Sequence, residues 1–136
     1  MKRIVFLVFF ILLVKVAFAQ NYNFLKAEDF KKWVDSGKKI HIVDVQRDED
    51  FRKKHIKGSI GTDAYPVKTE QDKVKLDKVI SRVKNDNLDI VIVCPRGGGA
   101  AKNAFDYLKS KGINEKRLYI LEGGIKGFPY KEMCQN

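Results

Sequence analysis

The stretch IVIVCPRGGGAAKNAFDYLKSKG, residues Ile90–Gly112, decides how the chain is read. An apolar, β-branched run ends at Cys94, a Pro-Arg pair follows, then Gly97-Gly98-Gly99, and from Ala100 onward the pattern is helical. The run Ile90–Val93 shows no polar alternation, which predicts a strand covered on both faces, as in a parallel sheet. Ala101, Ala104, Phe105 and Leu108 recur at helical spacing, and Gly112 closes that helix. A strand that turns through glycines into a helix places Cys94 where reactive groups of open α/β sheets gather, beyond the carboxyl ends of the strands.

Working outward, strands and helices alternate on both sides. Leu25–Ser36 carries Leu25, Phe30, Trp33 and Val34 at helical spacing and stops at Gly37. Lys39–Val45 is β-branched and predicts a strand, Asp48–Lys54 a short polar helix, and Gly58 to Tyr65-Pro66 a loop. Val74, Leu76, Val79, Ile80 and Val83 predict one helix over Asp72–Lys84, ended by Asn85-Asp86-Asn87, and Arg117–Leu121 predicts a further strand leading into Glu122-Gly123-Gly124. This order predicts one α/β domain with a central parallel sheet, with Asp44, Cys94 and Glu122-Gly123 at the ends of their strands. Asp44 is expected to hydrogen-bond neighbouring loop amides, and His41 and His55 to be structural.

The first residues stand apart. MKRIVFLVFFILLVKVAFAQ has a basic start (Lys2, Arg3), eleven apolar residues from Ile4 to Val14, and Ala17-Phe18-Ala19 as a small-x-small cleavage pattern. That reads as a signal peptide over 1–19, since the run is well short of the roughly 20 residues a spanning helix needs. The mature chain, 117 residues from Gln20 to Asn136, keeps 24 of the 27 cations against 17 anions and a net charge of +7. Its lysines are mixed with acids, and no basic block or aromatic-basic stripe supports nucleic-acid binding. The expected location is periplasmic or secreted, without stable membrane insertion after cleavage, as a monomer or small homo-oligomer. In an oxidising compartment Cys94 and Cys134 could also form a disulfide.

The loop itself narrows the chemistry. A thiol acts as thiolate, and the unpaired amides and dipole of a helix N-terminus favour negative charge on its sulfur. Gly97, Gly98 and Gly99 could adopt positive φ, converging the amides of Arg96, Gly97, Gly98, Gly99 and Ala100 into an anion nest. Arg96 would either meet the anion or point to solvent. A phosphatase C-x5-R loop is excluded because the sixth residue after Cys94 is Ala100, and a thioredoxin C-x-x-C because the third is Gly97. Neither glycine cluster supplies a P-loop, and Gly97-x-Gly99 continues as Ala-Ala-Lys instead of the dinucleotide fingerprint. What remains is a persulfide: a thiolate that attacks a sulfane sulfur becomes Cys-S-S⁻, and a ring of amides stabilises that charge.

Here the sequence resembles the rhodanese-like (sulfurtransferase) family, in its small single-domain exported form, from about Phe24 to Phe128. The family pattern D-V-R-x-x-x-E-F/Y-x-x-G-H-I-x-G-A is matched by Asp44 to Ser59, the active-site loop by Cys94 to Ala100, and the late strand with its Gly-Gly turn by Leu121 to Gly124, followed by Gly127-Phe128. The departures are Gln46 for arginine, Lys54 for glycine and Lys57 for proline. The resemblance implies a five-stranded parallel sheet flanked by helices and a catalytic persulfide on Cys94, with no metal or cofactor. The donor is open among thiosulfate, polysulfide and similar anions, and the acceptor among cyanide, a thiol and a partner protein. Two alternatives stand beside the enzyme: a carrier that holds sulfur or a related anion without turnover, and a redox protein with a Cys94–Cys134 disulfide.

Overall fold

The computed structural model describes residues 21–136, so the signal peptide expected at 1–19 lies outside the described residues. The chain runs β1 (Phe24–Leu25), α1 (Ala27–Asp35), β2 (Ile40–Asp44), α2 (Asp48–Lys53), β3 (His55–Ile56), β4 (Ile60–Gly61), α3 (Glu70–Val74), α4 (Asp77–Val83), β5 (Asp89–Val93), α5 (Gly99–Ser110), β6 (Leu118–Leu121) and β7 (Cys134–Gln135). Five strands form one sheet in the order β1-β6-β5-β2-β4, every neighbouring pair parallel. The α/β architecture and parallel sheet expected from the sequence are therefore present.

The apolar run of β5 makes physical sense in this sheet. Ile90 and Ile92 enter a core shared with Phe105 and Leu108 of α5, while Val91 and Val93 enter a second core with Phe30 of α1 and Phe128. A strand alternates faces every residue, so a sheet with helices on both sides demands apolar residues at every position. The same alternation carries Cys94 to the face of Ile90 and Ile92, and it belongs to the core that α5 covers. Ala101, Ala104, Phe105 and Leu108 are all fully buried, as their spacing predicts.

The loop expected from Gly58 to Tyr65-Pro66 contains the edge strand β4, paired with Val43 and Asp44 of β2, and β3 was likewise not expected. Three further regions differ from the sequence reading. Leu25 is not the first turn of a helix: Phe24 and Leu25 form the edge strand β1, in register with Ile120 and Leu121. The helix expected over Asp72–Lys84 is two helices, because tighter i to i−3 bonds, Lys75 N–H to Asp72 and Leu76 N–H to Lys73, break it at Lys75-Leu76. The break turns Leu76 fully into the core and leaves Val74 51% exposed, so Val74 does not share the apolar face. The tail, for which no element was expected, returns as β7, antiparallel to β3 with Cys134 opposite Ile56.

Candidate active site

Cys94 is the first residue past β5, 2% exposed, and its neighbours explain how it is held. Pro95 and Arg96 carry the chain outward, and Gly97 turns it back with φ +73°. The Gly97 N–H then donates to Cys94 Sγ at 3.0 Å. Two residues later α5 begins without a side-chain cap, so the amides of its first turn, which a helix does not satisfy internally, and its positive dipole end lie at the loop.

The loop is fixed from behind by the turn after β6. Ile125 N–H donates to Cys94 O at 2.9 Å and Lys126 N–H to Pro95 O at 2.9 Å. Between them Gly124, with φ +61°, lies so close that a Cβ there would overlap Cys94 O and reach within 2.6 Å of the amide nitrogens of Arg96 and Gly97. A Cβ on Gly97 would meet Gly123 N at 2.8 Å and Leu121 O at 2.9 Å. Two backbones touch here, which only glycine permits.

This corrects the nest expected from three glycines. Only Gly97 of the three has positive φ, and a side chain at Gly98 or Gly99 would meet nothing within 4 Å. The amides come from one turn at Gly97 and a helix N-terminus at Gly99, rather than from a continuous glycine cup.

A cavity of about 630 Å³ opens above the thiol. Of the residues singled out in the sequence, Cys94, Arg96, Gly98, Gly99 and Ala100 line it. Gly97 contributes its amide to Sγ from below. Arg96 is exposed at the rim and forms no ion pair among the described residues. Sequence reasoning missed Asp50, Lys54, Tyr65 and Lys126, which also face the cavity. Lys54 carried a signal, as one of the departures from the family pattern; Tyr65 and Lys126 are brought in only by tertiary packing.

Asp44, Cys94 and Glu122-Gly123 were expected to converge, and they do so in part. Gly123 backs the loop, whereas Glu122 is exposed and does not line the cavity. Asp44 is fully buried beside the loop's base, in register with Val93. Its carboxylate accepts from the backbone N–H of Gln46 at 2.8 Å and from Gln46 Nε2 at 2.9 Å, so it binds the amide of its own strand exit. Gln46 Nε2 also reaches Lys54 O at 3.1 Å. Burial pushes the Asp44 carboxyl up to about 6, against the Gln46 bonds and the field of His55, which pull it down.

Both histidines are structural. His55 stacks on Phe51 with ring centroids 3.9 Å apart, its Nδ1 lies 2.7 Å from Phe51 O, and its Nε2 lies 3.1 Å from Gln135 Nε2. Nδ1 therefore donates to the Phe51 carbonyl, and the ring does not line the cavity. His41 Nε2 pairs with Asp86 at 2.8 Å, far along the sheet from Cys94. The two cysteines are free thiols. Cys134 faces a separate depression with Lys53, Lys54 and Lys131, and its burial raises the thiol's pKa.

Comparison with known proteins agrees with this geometry. The rhodanese-like domain model matches residues 26–130, and the chain belongs to that family. No curated protein matches the chain. Among solved structures, a Staphylococcus saprophyticus protein superposes with a TM-score of 0.63 at 23% identity, covering 84% of this chain and 99% of that one. The As-Sb reductase of Leishmania major gives 0.56 at 25% identity, over 79% and 77%. A yeast protein tyrosine phosphatase of the rhodanese family gives 0.63 at 18% identity, over 79% and 84%. The fold thus carries different activities in different proteins, and the activity of this one has to be argued from its own loop.

Proposed function

We propose that the protein is a sulfurtransferase that carries a sulfane sulfur on Cys94. The Cys94 thiolate attacks the outer sulfur of a donor such as thiosulfate. An S–S bond forms to Cys94, the donor's S–S bond breaks, and sulfite departs with the bonding pair. The terminal sulfur of the Cys94 persulfide is then taken by cyanide, a thiol or a partner protein, and the thiolate is restored. The observation that carries this reading is the Gly97 N–H held 3.0 Å from Sγ at the floor of a cavity, with the N-terminus of α5 alongside. Those donors stabilise charge at the sulfur in both the thiolate and the persulfide.

The loop speaks against phosphate-ester hydrolysis, the activity of the yeast relative. Ala100 occupies the position where a C-x5-R loop holds its arginine, and Arg96, only two residues from the nucleophile, cannot supply the same clamp. The basic start, short apolar run and Ala17-Phe18-Ala19 further support export, so that this chemistry takes place outside the cytoplasm.

One experiment addresses all three points. Exported protein is incubated with thiosulfate or polysulfide and weighed intact, then given cyanide. A single adduct of about 32 Da, one sulfur on a thiolate, on a chain beginning at Gln20, followed by thiocyanate release, is the expected result. Cys94→Ser should lose both adduct and thiocyanate, and neither protein should hydrolyse an aryl phosphate. Adduct and thiocyanate retained by Cys94→Ser would overturn the assignment. Loading without release to any small acceptor would instead favour the carrier.

A further inference from the structure

The cavity above Cys94 is larger and more cationic than a small inorganic donor requires. At about 630 Å³ it lies within the range of pockets that hold organic ligands, roughly 300–1,000 Å³. Thiosulfate has five heavy atoms and would fill a small corner of it. Pro95 and Ile125 give the lining an apolar stretch suited to a carbon skeleton, whereas Lys54, Arg96 and Lys126 place three cations around it against one acid, Asp50. None of the three cations is in an ion pair among the described residues.

The cations are not equivalent. Arg96 and Lys126 are exposed at the rim, where solvent and salt screen them. Lys54 is half-buried and its backbone is fixed on both sides, its N–H donating to Asp50 O at 3.1 Å and its carbonyl accepting from Gln46 Nε2 at 3.1 Å. Its backbone is therefore rooted in the wall between the two depressions, and its side chain borders both the Cys94 cavity and the Cys134 depression, where burial raises the Cys134 pKa and the Lys54 charge lowers it. The family pattern that this stretch resembles has glycine here, so the charge is a property of this chain.

We infer that Lys54 makes the site selective for a sulfane donor with an anionic group on an organic body, such as a carboxylate-bearing thiol persulfide R–S–SH. This rests on the sulfur-transfer reading of Cys94 and specifies its donor. The Cys94 thiolate attacks the outer sulfur of R–S–SH, the new S–S bond to Cys94 forms as the donor S–S bond breaks, and R–S⁻ leaves with the pair. The perthiol proton stays on the transferred sulfur. Lys54 touches the distal anion, not the reacting atoms, so its contribution is to donor binding.

The test uses the full mature chain with Cys134→Ser, which leaves Cys94 as the only thiol, and compares Lys54, Lys54→Gln and Lys54→Glu. The first measurement is independent of sulfur transfer: the ratio of Cys94 alkylation rates by iodoacetate and by the neutral iodoacetamide. Loss of one partly shielded charge should lower this ratio about threefold in Lys54→Gln, and further in Lys54→Glu, with the iodoacetamide rate held. The second is steady-state transfer, where KM for a carboxylated persulfide should rise with kcat retained, and KM for thiosulfate should move less. An unchanged alkylation ratio, or a KM that rises equally for both donors, overturns the role of Lys54 and leaves Cys94 chemistry intact. A shifted ratio with no Cys94 persulfide from either donor overturns the sulfur-transfer reading and this inference with it.

Discussion

The back of the cysteine loop and its mouth are built on opposite terms. Behind the loop, backbone meets backbone: Gly124 and Gly97 sit where any Cβ would overlap atoms of the facing turn, and Asp44 is sealed in with Gln46. In front, Gly98 and Gly99 look onto open space, and Lys54, Arg96 and Lys126 form no ion pair among the described residues. Five glycines in two clusters thus do different work. The rear ones fix where Cys94 Sγ points, and the front ones leave amides exposed. Position is set by the back, and on the proposed reading preference among donors is set by the mouth.

The largest effect should follow from a change at the back. Gly124→Ala combines a positive φ, which costs an L-residue about 1–2 kcal/mol, with overpacking against Cys94 O and the Arg96 and Gly97 amides, about 1–3 kcal/mol. We expect a loss on the order of 3 kcal/mol, and a thermal midpoint lower by roughly 10 °C or more for a domain of this size. A variant melting within a degree or two of the parent would break the contrast, because the rear turn would then be free to move.

Asp44 sharpens the same contrast through pH. An unfolded aspartate titrates near about 3.9, and in the folded chain burial lifts Asp44 to about 6. The folded state therefore binds the proton more tightly, so this group's contribution falls as pH rises through the window from about 4 to 6. Its penalty is complete above the folded value and absent below the unfolded one. Two units correspond to on the order of 2–3 kcal/mol, so this contribution favours the fold at pH 5 over pH 7. Denaturant midpoints across that range, compared with Asp44→Asn, isolate it: the substitution should flatten the slope. An equal slope in both proteins would mean that the carboxylate is not sealed.

Much of the back was legible in the sequence, and little of the mouth was. The Ile90–Val93 run, the helical spacing of Ala101 to Leu108 and the Gly123-Gly124 turn are local patterns enforced by burial, and burial is what hydrophobic periodicity encodes. Two-residue strands escape it: Phe24-Leu25 continues the apolar spacing of α1, and Cys134-Gln135 has no pattern, so only pairing with β6 and β3 reveals them. Val74 and Leu76 both read as core, but a tightened turn, invisible in composition, exposes one and buries the other. Lys126 and Tyr65 meet Cys94 across the cavity from elsewhere in the chain, and nothing local marks them. The three glycines misled in the other direction, because glycine richness signals freedom without saying which residue uses it.

Gly99→Ala, the smallest change, separates the two accounts of that richness by its sign. If Gly97, Gly98 and Gly99 formed a continuous nest, alanine at the third position would be forced into a conformation it resists and would destabilise the loop. In the fold seen here Gly99 is the first residue of α5, its φ is not in the left-handed region, and its Cβ would meet nothing within 4 Å. Alanine at such a compatible site removes freedom from the unfolded chain and suits the helix, so stability should rise by about 0.5 kcal/mol. The N–H that faces the cavity is a backbone group and survives the substitution. A measured gain in denaturant midpoint would assign the anion-facing amides of the mouth to a helix N-terminus. A loss of about 1 kcal/mol or more would restore the nest and erase the distinction between front and back.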